Sequence, residues 1–386
     1  MSSKVLIILD QFEKKSEVFI YRELNHLIKE GVSLSVFVLN PLKDPLLHQS
    51  SKNINSCVVN LIASPVDFTL SCIQDFSKAL KLLTWCFKGN SFRHRIHKFK
   101  AFYASFACGD IKNIKHIHAH FAYVCADVAY CLSERLNCKF SISAHAWDIY
   151  TQKEDLLKER VKDSDKVFCC HKHGLEVVSR FSDKSVLSYH GIPVESVALN
   201  EIREGVLIVL RAVDKKGLPL FIKIIHKLMK QGLELKLTVV GITKNSLCEN
   251  GLTSHELKHV KVYNYLSDLE LKEMYLSHKY YLQTSQNSVN GDREGVPNTL
   301  LEALLYGCVV FTTPVGAIHE LIEHNLNGIV YKTADNFLKH YIELSQDEAK
   351  YNSLQTLGRE KVASEYDQNK CTKPLVDYLK EKIEKV

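Results

Sequence analysis

The feature that most constrains this chain is an alternation. VLIIL (Val5 to Leu9) is a short apolar run of strand length. EVFIYRELNHLIKEG (Glu17 to Gly31) then repeats its apolar residues at helical spacing and stops at glycine, and SLSVFVL (Ser33 to Leu39) is strand-like again. Strand, helix and strand in close succession predict a βαβ unit, hence a parallel sheet with helices on its faces. IKHIHAHF (Ile114 to Phe121), KFSISAHA (Lys139 to Ala146) and KVFCC (Lys166 to Cys170) read as further strands of that sheet. The rhythm breaks at HGIPVESVALNEIREG (His190 to Gly205), which is polar and holds Gly191 and Pro193. It restarts with VLIVLRAV (Val206 to Val213), a helix over 218–231, LKLTVVG (Leu235 to Gly241), KYYLQTS (Lys279 to Ser285) and VVFTT (Val309 to Thr313). With 386 residues there is material for two cores. The expectation is two α/β halves, residues 1–195 and 196–365. The amphipathic tail KCTKPLVDYLKEKIEKV (Lys370 to Val386) lies in a segment 366–386 that crosses back to the first half.

Composition narrows the class. Apolar residues make up 46% and charged residues 24%, ordinary for a globular protein, and the net charge is +6. That mild excess suits anionic small molecules or a membrane surface and does not argue for nucleic acid. The twelve cysteines are scattered, with no C-x-x-C pair, and read as reduced, mostly buried thiols of a cytoplasmic protein. MSSKVLIILDQF reads as a first strand rather than a signal peptide, and no stretch has the length of a membrane span.

Ligands of open α/β sheets bind beyond the carboxyl ends of the strands. After KYYLQTS comes GDREGVPNTLLEALLYG, Gly291 to Gly307. Pro297 suits a first helical turn, Gly307 suits the position past the end, and Leu300, Leu301, Leu304 and Leu305 make one apolar face. The free amides at such a helix start favour an anion by about 0.3–1 kcal/mol through the dipole, and a diphosphate fits. Glu294 would border that guest and accept from hydroxyls. Glu302, a turn further in, would repel a phosphate but suit a neutral polyol such as a ribose. Taken singly, each is as well read as a loop charge and a solvated helix residue. Arg211 and Lys216, after VLIVL, put cations where a leaving diphosphate needs them, though Lys215-Lys216 alone also reads as surface charge.

EGVPNTLLE resembles the E-x7-E motif of retaining GT-B glycosyltransferases of the GT4 group. TPVGAIHELIEHNLNGIVY (Thr313 to Tyr331) and LRAVDKKGL (Leu210 to Leu218) resemble that family's flanking segments. SEVFIYREL, HIHAHF and SAHAWDIY resemble a subgroup building bacterial surface polysaccharides. The resemblance implies two Rossmann-like domains facing a central cleft: an acceptor domain first, a nucleotide-sugar domain second. It implies that Arg211 and Lys216 clamp the diphosphate, that Glu294 binds sugar hydroxyls, and that Gly295, Val296, Pro297, Asn298 and Thr299 hold sugar and phosphate. Glu302 would bind the ribose and His145 would face the donor sugar. The donor would be a UDP- or GDP-sugar, transferred with retention and without a metal or other cofactor. Relatives often carry a Gly-Gly loop after the first strand; here the region is DQFEKKSEVF, with Ser16 as the expected helix cap. Other enzymes of this fold, an epimerase or a phosphorylase, and a non-catalytic sugar-nucleotide binding subunit are the alternatives.

His116, His118 and His120 share one face of a strand and offer a rival reading as zinc ligands. The favoured reading puts His118 and His120 in the acceptor cleft, with Asp148 as an acceptor contact or a helix cap. Finally, KALKLLTWCFKGNSFRHRIHKFKAFY (Lys78 to Tyr103) interleaves cations with aromatics and contains no acid. It reads either as a solvated helix face or as a surface for anionic membrane, which would suit a lipid-linked saccharide acceptor at the inner face of the cytoplasmic membrane.

Overall fold

The computed structural model describes residues 4–12, 14, 17–41, 54, 57–59, 64–88, 91–108, 111–200, 202–233 and 235–384. It separates into two compact units, Met1–Tyr189 with Thr372–Val386, and His190–Cys371.

In the first unit, β1 (Lys4–Leu9), α1 (Val18–Lys29), β2 (Leu34–Val38) and β3 (Val58–Val59) precede a helical layer of α2 (Pro65–Gln74), α3 (Phe76–Phe87) and α4 (Phe92–Ala107). Then follow β4 (Ile114–His120), α5 (Val124–Leu136), β5 (Lys139–Ala144), α6 (Ala146–Thr151), α7 (Glu154–Lys162), β6 (Lys166–Cys169), α8 (Lys172–Ser179) and β7 (Ser185–Leu187). The strands are parallel, in the order β3-β2-β1-β4-β5-β6-β7. Strand β1 is apolar on both faces, because a parallel sheet is covered twice, whereas β4 and β5 each bury one polar face of histidines and serines. One core lies under α3, α4 and α5; the other packs α1 and the chain's last helix on the opposite face.

The second unit holds β8 (Val206–Val209), α9 (Leu218–Lys230), β9 (Leu237–Val240), α10 (Lys244–Glu249), β10 (Val260–Tyr263), α11 (Asp268–Ser277) and β11 (Tyr280–Gln283). It continues with α12 (Asn298–Leu305), β12 (Val309–Thr312), β13 (Ile329–Val330), α13 (Ala334–Ser345), α14 (Glu348–Glu365) and α15 (Gln368–Cys371). Its parallel order is β10-β9-β8-β11-β12-β13. In both sheets the chain starts in the middle, builds outward one way, then returns to build the other. The order reverses between β1 and β4 in the first unit and between β8 and β11 in the second.

The units divide at 189/190 and 371/372, against 195/196 and 365/366 from the sequence. The shift has backbone causes. Ile192 donates to Tyr366 O at 3.0 Å and Gln368 donates to Ile192 O at 3.0 Å, so both segments belong to the second unit. The last helix, α16 (Lys373–Glu384), belongs to the first. It buries Leu375, Val376 and Leu379 in the α1 core, and its Tyr378 donates to Asp165 at 2.7 Å.

Candidate functional site

In the second unit the order reverses between β8 and β11, the kind of switch point beyond which ligands of open α/β sheets bind. The loops leaving those strands, 210–217 and 284–297, are laced together rung by rung. Asp214 accepts from Gln286 Nε2 at 2.7 Å and from the Val289 amide at 3.1 Å. Lys215 pairs with Asp292 at 3.0 Å, and its carbonyl accepts from the Gln286 amide at 2.9 Å. Lys216 pairs with Glu294 at 2.8 Å, and its carbonyl accepts from Thr284 Oγ1 at 2.8 Å. Gly217 closes the turn at φ +67°; a Cβ there would stand 1.7 Å from Thr284 O. No other residue allows that approach.

A third loop, after β12, seals Glu294 from behind. Gly316, at φ +61°, lies so close that a Cβ would meet Glu294 O at 2.0 Å, and Ala317 donates to that carbonyl at 3.0 Å. Thr313 Oγ1 donates to Ser285 O at 2.5 Å. Below, Tyr281 OH donates to Gln283 Oε1 (3.2 Å), Gln283 Nε2 donates to Ser285 Oγ (2.6 Å), and Ser285 Oγ donates to Glu294 Oε1 (3.2 Å). Burial alone would push the Glu294 carboxyl up. Lys216 and Lys215 outweigh it and hold the group below its usual range, as an anion. Arg211 is exposed and forms no ion pair among the described residues.

Helix α12 begins at Asn298, with Pro297 as the N-cap rather than the first helical residue. The Pro297 carbonyl accepts from Leu300 at 3.0 Å and Leu301 at 3.3 Å. The amides of Asn298 and Thr299 have no intrahelical acceptor, as at any helix start. The Asn298 Oδ1 is buried without a hydrogen bond among the described residues. At the far end Gly307 (φ +80°) makes a Schellman turn: Cys308 donates to Ala303 O at 2.8 Å and Gly307 to Leu304 O at 3.0 Å. Leu300, Leu301, Leu304 and Leu305 are buried as the spacing predicts. Glu302 is buried too, against the reading as a solvated residue. It accepts from Tyr275 OH at 3.1 Å, and burial, then the Glu302 charge, push the Tyr275 hydroxyl well above its usual value.

The first unit's reversal point carries a second polar knot. Phe121, at φ +75°, takes a backbone region that aromatic residues rarely enter, directly after β4. Asp148 holds the turn in place: one carboxylate oxygen accepts from the Ala122 amide, the other from the His145 amide at 2.7 Å. Burial pushes the Asp148 carboxyl up to about 7, against those amides, which favour the anion. Gln152 Nε2 donates to Ala122 O at 2.8 Å, and Arg160 forks onto Asp127 at 3.0 and 2.9 Å. His145 is buried, its ring 4.4 Å from Phe121 and 5.2 Å from Phe19.

Asp148 takes the helix-cap role, one of its two expected readings, at the start of α6. His118 is wholly buried, with Nδ1 on Ser141 Oγ at 2.8 Å and Nε2 on Ser143 Oγ at 2.9 Å. His120 is equally buried, its Nε2 3.5 Å from Glu23 Oε1. The histidine row also changes as a metal candidate. His116 turns to Ser141 (2.8 Å), and the atoms that converge within 4.8 Å belong to Glu23, His118 and His120. A metal there would have to displace a serine hydroxyl from His118. Ser16, expected as a cap, lies outside the described residues; Glu17 takes the N-cap position of α1.

Sequence reasoning missed Asp214, Ser285 and Asp292, which fix the charged pair, and Arg160. Asp292 was legible in principle, as a second acid beside Glu294 facing a pair of lysines. The others are set by tertiary approach alone.

Two parallel sheets, each reversing at its centre, with a charged loop cradle at the second reversal, define the GT-B architecture. The solved chain of Anabaena Alr3699/HepE in complex with UDP and glucose shares it, with a TM-score of 0.69 and 13% identity over 98% of this chain and 99% of that one. Residues 194–361 match the family model of glycosyl transferases group 1. Among curated proteins, the amylovoran biosynthesis glycosyltransferase AmsK of Erwinia amylovora is 26% identical over 61% of this chain. The putative colanic acid biosynthesis glycosyltransferase WcaL of Salmonella typhimurium is 27% identical over 52%. The alignments span 62% and 48% of those proteins' own lengths.

Proposed function

We propose that the chain transfers a sugar, with retention, from a nucleotide-diphospho-sugar to a saccharide acceptor in exopolysaccharide assembly. The observation that carries this reading is the cradle: an ionised glutamate, two lysines and the start of α12, held by three loops at a sheet's reversal point. The relatives' names, and the UDP seen in HepE, support the same reading.

Lys216 is the pivot. Its ammonium has three N–H donors; one goes to Glu294, leaving two for phosphate oxygens. Glu294, kept anionic, accepts from sugar hydroxyls. Arg211 supplies a second cation and the Asn298 and Thr299 amides supply neutral donors, with Gly295, Val296 and Pro297 shaping the floor. Glu302 takes the ribose, and His145 enters as a sugar contact from its motif. As the bond between the anomeric carbon and the phosphate oxygen breaks, charge grows on the leaving diphosphate, and each fixed donor aimed at it contributes about 3–4 kcal/mol. The acceptor hydroxyl forms the new bond on the face just vacated, and its proton passes to the departing phosphate oxygen. These residues do the work without a metal.

The donor is a UDP- or GDP-sugar. The acceptor is lipid-linked, and the enzyme meets it at an anionic membrane surface. Among the described residues no helix is long and apolar enough to cross a membrane. Thermal-shift screening against UDP-, GDP- and ADP-sugars tests the donor class: one nucleotide series raises the melting temperature. A flat response to all three refutes the proposal.

A further inference from the structure

The basic stretch 78–103 does not act as one surface. Lys78 donates to Arg135 O at 2.6 Å and lies 3.9 Å from Asp75; Lys81 pairs with Glu134; Lys98 is wholly buried on Glu159, over the Trp85 ring. Those three cations hold the fold together. Among the described residues, Lys88, Arg93 and Lys100 are exposed and form no ion pair.

Helices α2 and α3 are apolar on both sides. Inward, Ala79, Leu82 and Cys86 of α3 enter the core, and Phe68 of α2 packs 5.6 Å from Phe102. Outward, Val66, Leu70 and Ile73 of α2, and Phe76, Leu80 and Phe87 of α3, are each between 52% and 69% exposed. The spacings 66/70/73 and 76/80/87 put each set on one helical stripe. Helices with a second, outward apolar stripe belong at an interface.

We propose that the outward stripes of α2 and α3 insert into an anionic lipid bilayer, with Lys88, Arg93 and Lys100 on the headgroups. The inference rests on the membrane contact proposed above and names its agent, which is an apolar anchor and not the lysine-rich run. Charge decides the occupant. Helix α2 carries one charged residue, Asp67, whereas residues 76 to 108 contain no Asp or Glu and hold Lys88, Arg93 and Lys100, so apolar stripes with a net positive border match acyl chains beneath anionic headgroups. A second copy in a two-fold contact would set those cations against themselves.

The test is flotation of the full chain with vesicles of phosphatidylglycerol and phosphatidylcholine, or of phosphatidylcholine alone, at low and high salt. Donor binding is read in parallel by thermal shift. The wild type floats with the anionic vesicles and keeps part of its binding at high salt. Leu70→Glu with Ile73→Glu, or Leu80→Glu alone, weakens binding at least tenfold. Arg93→Ser and Lys100→Ser each cost about fivefold, only at low salt. Lys81→Ser changes it less than twofold. Unchanged donor-induced melting shifts show that each variant is folded. Flotation by the wild type that the glutamate variants do not weaken overturns the anchor and leaves the membrane contact standing. Failure of the wild type to float, with donor shifts intact, overturns both and leaves the sugar-transfer reading. Self-association abolished by Leu70→Glu with Ile73→Glu, without flotation, overturns the anchor in favour of a second copy.

Discussion

At the scale of single residues, Lys216 and Glu294 carry the account. Lys216→Ala is expected to lower turnover by about 10²–10³, because one donor to the leaving diphosphate is lost; a change under threefold contradicts its role. The same pair leaves a mark on stability. The Glu294 carboxyl sits below its usual range in the folded chain. Its contribution is therefore full above the ordinary carboxylate pKa and is lost as pH falls through the folded value. Lys216→Gln is expected to flatten that acid limb in denaturant melts taken at stepped pH. Gly217 is a backbone case. An alanine would suffer a positive φ and a carbonyl at 1.7 Å, so Gly217→Ala is expected to cost about 2–4 kcal/mol in a urea melt. The charged pair was legible as residue types in a spacing. Their mutual contact was not, because it depends on β8 and β11 being neighbours although α9, β9, α10, β10 and α11 lie between them in the chain.

At the scale of elements, α12 shows what a sequence fixes and what it leaves open. Its four leucines and Gly307 announce the buried face and the stop. Nothing in the local sequence announces that Glu302 is buried as well, because its partner Tyr275 comes from α11. Tyr275→Phe leaves that carboxylate short of a donor and is expected to destabilise the second unit by about 1–3 kcal/mol, read in the same melts. Strand positions were readable wherever apolar runs were long; β3, β7 and β13 are edge strands of two or three residues and give little signal. The histidines of β4 had the right periodicity and the wrong destination. Period two puts them on one face but does not say whether that face meets a cleft or, as here, serine hydroxyls and the last helix.

At the scale of the whole molecule, buried histidines decide what mild acid does to the first unit. Burial holds His116 and His118 neutral, lowering each to about 3. An unfolded histidine takes up its proton below about 6.5. Between those values the unfolded chain binds more protons, so stability falls as pH drops. Both tryptophans, Trp85 and Trp147, lie in the first unit. Their fluorescence is expected to report loss of that unit on acidification from about pH 6.5; a flat signal down to the carboxylate range contradicts it.

The measurement that most directly tests the diphosphate cradle is calorimetric titration of the preferred nucleoside diphosphate and its parent nucleoside into the wild type, Lys216→Ala and Arg211→Ala. The account predicts that the diphosphate binds the wild type at least tenfold more tightly than the nucleoside, and that each substitution removes most of that difference while nucleoside affinity is unchanged. An equal diphosphate advantage in all three proteins would contradict it.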